Sequence, residues 1–379
     1  MQTFSPAFHP GAFHVSVFET IEQLQSLAAE WDELLVSSDA NSIFLTWEWI
    51  SSWFAAVTPR ANLFVLTVRD PTDNRLLAVL PLYVAPMILL GCLRLRCLRM
   101  LGDCHTGAEY PDVIVRHGFE GTVLPFLAQR FNAWQNLWDC AWIPNIAGWT
   151  GAEQRITQII GPTATLCQKR KASFSARELP SGWEEFWTSL STGQRTLLKR
   201  QGKKIDTPRG VQIDHCTDAQ NLQNDLETLF VLHRQRWESA RQLGSFARRP
   251  RMVDFYKDFA PKALKNGWLA LFTLSLDGRR VAAQYGYAYR QTFHQLQEGY
   301  DPTSLPGVGN KLRQEVFRWC IAENLTGYDF LGEHTDHKAR WGSHERWGKH
   351  LFAWRPTLKG FLLSRLGLWP TGRFFRHGS

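Results

Sequence analysis

Tyr300-Asp301-Pro302-Thr303-Ser304-Leu305-Pro306-Gly307-Val308-Gly309-Asn310-Lys311-Leu312 follows a segment, Thr292 to Tyr300, that reads as a strand. It opens a helix carrying Leu312, Val316, Trp319 and Cys320 on one face. The first amides of a helix have no intrahelical partner, and the macrodipole is positive there. Gly307 and Gly309 have no side chain to block a close approach. A pyrophosphate can therefore rest on the amides of Val308 to Lys311, with Lys311 adding positive charge. The expected anion-binding segment is Pro306, Gly307, Val308, Gly309, Asn310 and Lys311. It has neither Walker spacing nor the G-x-G-x-x-G fingerprint, and alone such a turn is commonly no more than a turn. Its place between a strand and a helix gives it weight.

Asn324 and Gly327 end that helix, and Tyr328 to Leu331 reads as a closing strand. A strand–helix–strand crossover puts its two strands parallel in one sheet. Upstream, Trp268 to Leu276 and Val281 to Tyr289 flank the hairpin turn Asp277-Gly278. Before them lie a capping box at Thr217-Asp218-Ala219-Gln220, a helix with Leu222, Leu226, Leu229, Phe230, His233 and Trp237, and a helix over Met252 to Leu264.

The first half repeats this order. Thr20-Ile21-Glu22-Gln23 is a capping box, and Leu24 to Leu35 and Trp47 to Val57 read as helices. Strands follow at Leu63 to Val68, Leu76 to Val84, Leu95 to Leu101 and Asp112 to Val115. A helix over Thr122 to Trp134 and a strand over Leu137 to Ile143 complete the set. The expectation is an α/β fold with α+β mixed sheets, duplicated in tandem as residues 1–165 and 166–379. A linker is expected between Pro144 and Pro180, which includes the basic run Lys169-Arg170-Lys171.

Composition agrees with two globular domains. The chain has 379 residues, 44% hydrophobic and 21% charged, with 17 Trp and 24 Phe to fill cores. Lys and Arg exceed Asp and Glu by 43 − 35 = 8, modest for this length. With no RNA-binding signature, no stable nucleic-acid partner is expected. Pro81, Pro86, Arg94, Arg96 and Arg99 interrupt the apolar stretch Leu76 to Leu101, so it reads as strands and not as a membrane span. Met1 to Gly11 lacks the pattern of a secretory signal. The seven cysteines include no C-x-x-C pair, which points to reduced thiols in a cytoplasmic protein. His334, His337, His344 and His350 match no metal-binding spacing, and no metal is expected.

The order of strands, Pro-Gly loop and helix resembles the GNAT acyltransferase fold. The matching segments are Gln194 to Arg200, Leu232 to Trp237, Gly244-Ser245-Phe246, Val281 to Gln284, Pro306 to Leu312, Tyr328 to Glu333 and Lys338 to Gly342. In that order they resemble the CelD/BcsL-type acetyltransferases of bacterial cellulose and exopolysaccharide synthesis, which are related to the Fem peptidoglycan-bridge transferases. The resemblance implies acetyl-CoA or another acyl-CoA as donor. The acceptor it implies is an amine or hydroxyl, glycan-related in this family.

Deprotonating an acceptor calls for a base, and Glu298, Asp329 and Glu333 fall near the expected cleft. His233, Arg236, Trp237, Lys338 and Trp341 are candidates for substrate contact. The bland alternatives are a core histidine at 233 and loop packing by Trp341. Arg195, Lys199, Arg200, Lys203 and Lys204 form a basic stretch, either a solvated helix face or a contact for an anionic partner. The tail mixes Leu358, Phe361, Leu362, Leu363 and Leu366 with Lys359, Arg365, Arg373 and Arg376 and allows a peripheral membrane contact. In the first half Glu120 stands where the equivalent helix begins and would repel phosphate, so one donor site is expected. An aminoacyl-tRNA-dependent transferase and a non-catalytic scaffold are the rival readings.

Overall fold

The computed structural model describes residues 13–57, 62–103, 106–164, 166–206, 210–370 and 375–377. The chain forms two compact units. The first comprises Met1–Cys104, Ala108–Ala172 and Trp347–Ser379; the second comprises His105–Gly107 and Ser173–Arg346. The described residues from 347 onward, which the sequence reading placed in the second half, thus belong to the first.

The chain begins with β1 (His14–Phe18), α1 (Ile21–Gln25), α2 (Ala28–Val36) and α3 (Trp47–Ala56). Strands β2 (Asn62–Arg69), β3 (Leu76–Leu89), β4 (Leu93–Met100) and β5 (Ile114–Val115) follow. Then come α4 (Glu120–Asn132), β6 (Cys140–Ala147), α5 (Ala152–Ile160) and β7 (Leu166–Glu178). The capping box forms as expected at α1: the Thr20 hydroxyl accepts from the Gln23 amide, and the Gln23 side chain accepts from the Thr20 amide.

The second unit continues with α6 (Trp183–Ser189), α7 (Thr192–Asp206), β8 (Val211–His215), α8 (Ala219–Ser239), α9 (Ser245–Arg248) and α10 (Arg251–Lys265). After them run β9 (Leu269–Leu276), β10 (Arg279–Tyr289), β11 (Thr292–Tyr300), α11 (Val308–Ala322), β12 (Gly327–Asp329) and α12 (Asp336–Ala339). The chain ends with β13 (His344–Trp354), α13 (Leu358–Ser364) and β14 (Phe375–His377). Among the described residues no helix is long and apolar enough to cross a membrane.

Two local expectations are corrected. Asp218, and not Thr217, caps α8: it is the last extended residue, and its carboxylate accepts from the Gln220 amide at 2.9 Å. The stretch expected as a linker holds α5 and all of β7. Ala152, Ile156, Ile159 and Ile160 of α5 enter the first core, and Arg155 pairs with buried Asp112. The basic run belongs to β7. It is accommodated there because Arg170 lies over the Trp369 ring at 4.2 Å and Lys171 over Trp347 at 4.8 Å.

The strands of the two units follow one order. In the first unit it is β1-β2-β3-β4-β6-β13, antiparallel except where β4 runs parallel to β6 through Cys97↔Cys140 and Leu98↔Ala141. In the second it is β8-β9-β10-β11-β12-β7, antiparallel except where β11 runs parallel to β12. Each parallel pair is joined through a helix, α4 or α11, as the crossover rule requires. The duplication is one of topology. In each unit, the strand beyond the parallel pair comes from a distant part of the chain.

The second unit is layered. Phe186, Leu198 and Ile205 of α6 and α7, with Val308, Leu312, Val316 and Phe317 of α11, pack on Ala270, Phe272 and Leu274 of β9. Alternation sends the neighbouring side chains to the opposite face, where Tyr256 of α10 stacks on Tyr285 of β10 at 4.6 Å. There α8 lies directly on β11. A Cβ at Gly299 would overlap the backbone at Leu232 and His233, so only glycine allows this approach.

Candidate active site

The parallel ladder between β11 and β12 is short. It pairs Thr292–His294 with Gly327–Asp329, and β11 then runs on to Tyr300. Between Tyr285 and Gly286 the register with β10 slips, which inserts Leu296 into β11 as an extra residue and bends the strand. Along the extended part of β11 lies a cavity of about 500 Å³. Glu298, Gly299 and Tyr300 line one side; Pro306 to Asn310 and Arg313 line another; Gln284 and Arg236 reach in from β10 and α8.

The loop enters α11 through Gly307, whose φ of 101° suits glycine. Lys311 N–H donates to Gly307 O at 2.8 Å and Val308 N–H to Leu305 O at 3.4 Å; Gly309 and Asn310, between them in the first turn, line the cavity. Gln201 of α7 lies over Gly307 and receives the Asn310 side chain at 3.0 Å. The Lys311 ammonium pairs with Asp206 and Glu315.

Glu298 anchors the polar end of the cavity. Its carboxylate accepts from Arg236 at 2.7 Å, from Gln295 at 3.1 Å and from Arg313. Burial alone would raise its pKa. The charges of Arg313 and Arg236 outweigh that effect and hold it down at about 2. A further chain supports Gln295: Gln284 donates to the Tyr328 hydroxyl at 2.6 Å, which donates to Gln295 at 2.7 Å. Asp301, also on the lining, is a turn former. It accepts from the Thr303 amide and hydroxyl and pairs with Arg279.

Residues 192–339 match the family described as "Acetyltransferase (GNAT) domain". The second unit has the GNAT acetyltransferase fold. The whole chain is similar in structure to FemX, at 11% identity and a TM-score of 0.61 over 89% of this chain and 98% of that one. It is also similar to a conserved protein of unknown function from Bacteroides thetaiotaomicron VPI-5482, at 13% identity and a TM-score of 0.52 over 90% and 100%. No curated protein matches the sequence. At these identities the likeness is one of fold, duplicated over both units.

On this GNAT scaffold the sequence candidates divide. Glu298, Arg236 and Pro306 to Asn310 meet at the cavity, with Lys311 beside them. Asp329 lies elsewhere: 5% exposed, it accepts from the Leu331 amide at 2.9 Å, where Leu331 turns to positive φ. Exposed Glu333 offers its carbonyl to Lys338, which also binds the Leu331 carbonyl, so Lys338 ties that turn together. Trp341 stacks on Phe317 at 5.4 Å in the core. His233 is buried, accepts from the Trp237 indole N–H at 3.0 Å and touches the Phe246 ring at 4.5 Å. Sequence reasoning missed Gln201, Arg313 and His337 as lining residues. Arg313 is one of four charges on α11, with Lys311, Glu315 and Arg318, and nothing in its spacing marks it as the buried one; the other two come from other segments. Among the described residues, Asp39, His117 and Glu120 each bring a ligand atom within 4.8 Å of the others, on exposed or half-buried side chains.

Proposed function

We propose that the second unit transfers an acyl group from a coenzyme A thioester to an amine or hydroxyl, with the cavity along β11 as the place of reaction. One observation supports this reading: the cavity beside β11 is lined by Gly307, Val308, Gly309 and Asn310, at the N-terminal turn of α11. A diphosphate bound there would gain hydrogen bonds and the positive end of the helix dipole. The acyl arm would then run along the part of β11 that β12 leaves unpaired. The acceptor attacks the thioester carbonyl, and the thiolate leaves; much of the rate comes from holding both together.

In this reading Glu298 is a weak base, because its two arginines keep it ionised to about pH 2. It orients them instead. His337, lowered in pKa by partial burial of its ring and by Arg313, is neutral near pH 7 and lines the cavity; its Nε2 accepts from Arg313 and steadies that guanidinium, and the acceptor's proton passes to the leaving thiolate. The acceptor is polar, glycan-related if the CelD/BcsL resemblance extends to substrate. The first unit serves without a donor of its own. At the start of α4 the Glu120 carboxylate already accepts the Gly118 amide at 2.9 Å and brings negative charge to that end.

Gly309→Glu tests the donor site. A Cβ there meets the Tyr300 ring at 3.4 Å, an ordinary contact, so the fold should survive. The carboxylate would repel phosphate. Titration calorimetry with acetyl-CoA should show binding to wild type and at least tenfold weaker binding to the variant. Equal affinity in a folded variant removes the α11 turn from the mechanism. Binding of charged tRNA in place of acetyl-CoA would favour the aminoacyl reading.

A further inference from the structure

The cavity holds more positive charge than its carboxylates answer. Arg236 and Arg313 share the single carboxylate of Glu298. The other lining carboxylate, Asp301, is taken by Thr303 and Arg279. The Arg313 side chain is 3% exposed, and its buried Nε has no hydrogen-bond partner. Its Nη1 meets His337 Nε2 at 3.3 Å, a neutral contact that leaves the charge unanswered. Arg236 directs Nη1 alone at Glu298, while its guanidinium lies 5.4 Å from the ring centres of Trp237 and Tyr300. A guanidinium carries five donors, and a buried donor without a partner is costly to leave unmade. Two such groups, locked by one carboxylate and lining an opening, are built to receive a further anion.

We infer that Arg236 and Arg313, held by Glu298, form an anion subsite that takes a carboxylate or phosphate group of the acyl acceptor. The inference rests on the acyltransferase reading above and narrows its acceptor to acidic compounds. The donor's diphosphate has its own place at the Gly309 and Asn310 amides, whereas Arg313 lies further along α11, beside Glu298. Glu298 is a positioning residue here: it splits its two oxygens between the two guanidiniums and fixes both.

Inorganic phosphate is the probe. It should bind wild-type protein in calorimetry, and bind equally well when the protein is saturated with acetyl-CoA. Arg313→Gln and Arg236→Gln should each weaken phosphate at least tenfold while changing acetyl-CoA affinity less than threefold. Arg313→Lys, which keeps the charge and loses the fork, should recover part of the loss; this recovery separates a lost subsite from a lost fold. If Arg313→Gln does not fold, Arg236→Gln, on a partly exposed side chain, carries the test. Phosphate that is displaced by acetyl-CoA, together with weak acetyl-CoA binding in Arg313→Gln, would assign the arginines to the donor and overturn the proposal. So would phosphate binding that is absent, or unchanged in both variants. Acetyl-CoA that fails to bind folded wild type would instead overturn the acyltransferase reading, and with it the assignment of the subsite to an acceptor.

Discussion

His233 shows how a side chain that looks chemical can be spent on architecture. It is buried under Gly244, where a Cβ would overlap its ring, and it accepts the Trp237 indole N–H at Nε2. Burial first, then the Arg236 charge, pushes its pKa down to about 4, against 6.5 for a free imidazole. The unfolded chain therefore takes up a proton that the folded chain refuses. Stability is untouched above about pH 6.5 and falls as pH drops from there towards 4, by about 3 kcal/mol at the lower end. His233→Gln should flatten the urea midpoint between pH 7 and pH 4.5, a window in which wild type loses stability. An unchanged slope would show that the imidazole titrates freely. Glu298 shifts stability in the same direction over a lower window: its stabilisation is full above about 4.5 and fades towards 2. Sequence could single out both residues, Glu298 by its place near the end of a strand and His233 by its place on a helix beside Arg236 and Trp237. It could not say that one is walled in and the other clamped, since the responsible partners Gly244, Gln297 and Arg313 come from other segments.

At the level of elements, the site depends on how closely α8 can approach β11. Contact is direct at Gly299, and it brings Arg236 to Glu298. Gly299→Ala should force the helix outward, destabilise the protein by roughly 1–3 kcal/mol and loosen the Arg236–Glu298 pair. Chemical denaturation measures the first effect, and weaker phosphate binding the second. A variant as stable as wild type would mean that the helix has slack there. The strands and helices of this region were largely legible: the Asp277-Gly278 hairpin has both residues at positive φ, and α11 begins next to Gly307 as read. The strand β13 was not. Its residues His344 to Trp354 mix His, Glu, Arg, Trp and Lys, and its inward face is set by pairing with β6, a partner some two hundred positions earlier. Likewise α5 hid in a stretch rich in Gly and Thr.

For the whole molecule the consequence concerns where it can be cut. Residues 166–178 supply β7, whose Ala176 to Glu178 pair with β12, while residues 347–354 supply the strand beside β6. Leu351 and Ala353 of β13 belong to the core of the first unit. A fragment of residues 1–165 would therefore lack a strand of its own sheet and expose Ala141 and Ile143. It should be molten or aggregated, with near-ultraviolet dichroism lost, whereas full-length protein melts cooperatively. A well-packed 1–165 fragment would show that β13 is dispensable. The duplicated pattern was visible in the order of elements, but the distant origin of β7 and β13 was not, since no local signal in a strand names its neighbour.

That pairing of Ala147 with Gly348 also sets a clock during biosynthesis. At about 5–20 residues per second, the ribosome needs roughly 10–40 s between making the two. Throughout that interval the nascent first sheet has a bare edge at β6, so this unit, though first to emerge, is the last to be completed, and it is the stage at which a chaperone has most to protect.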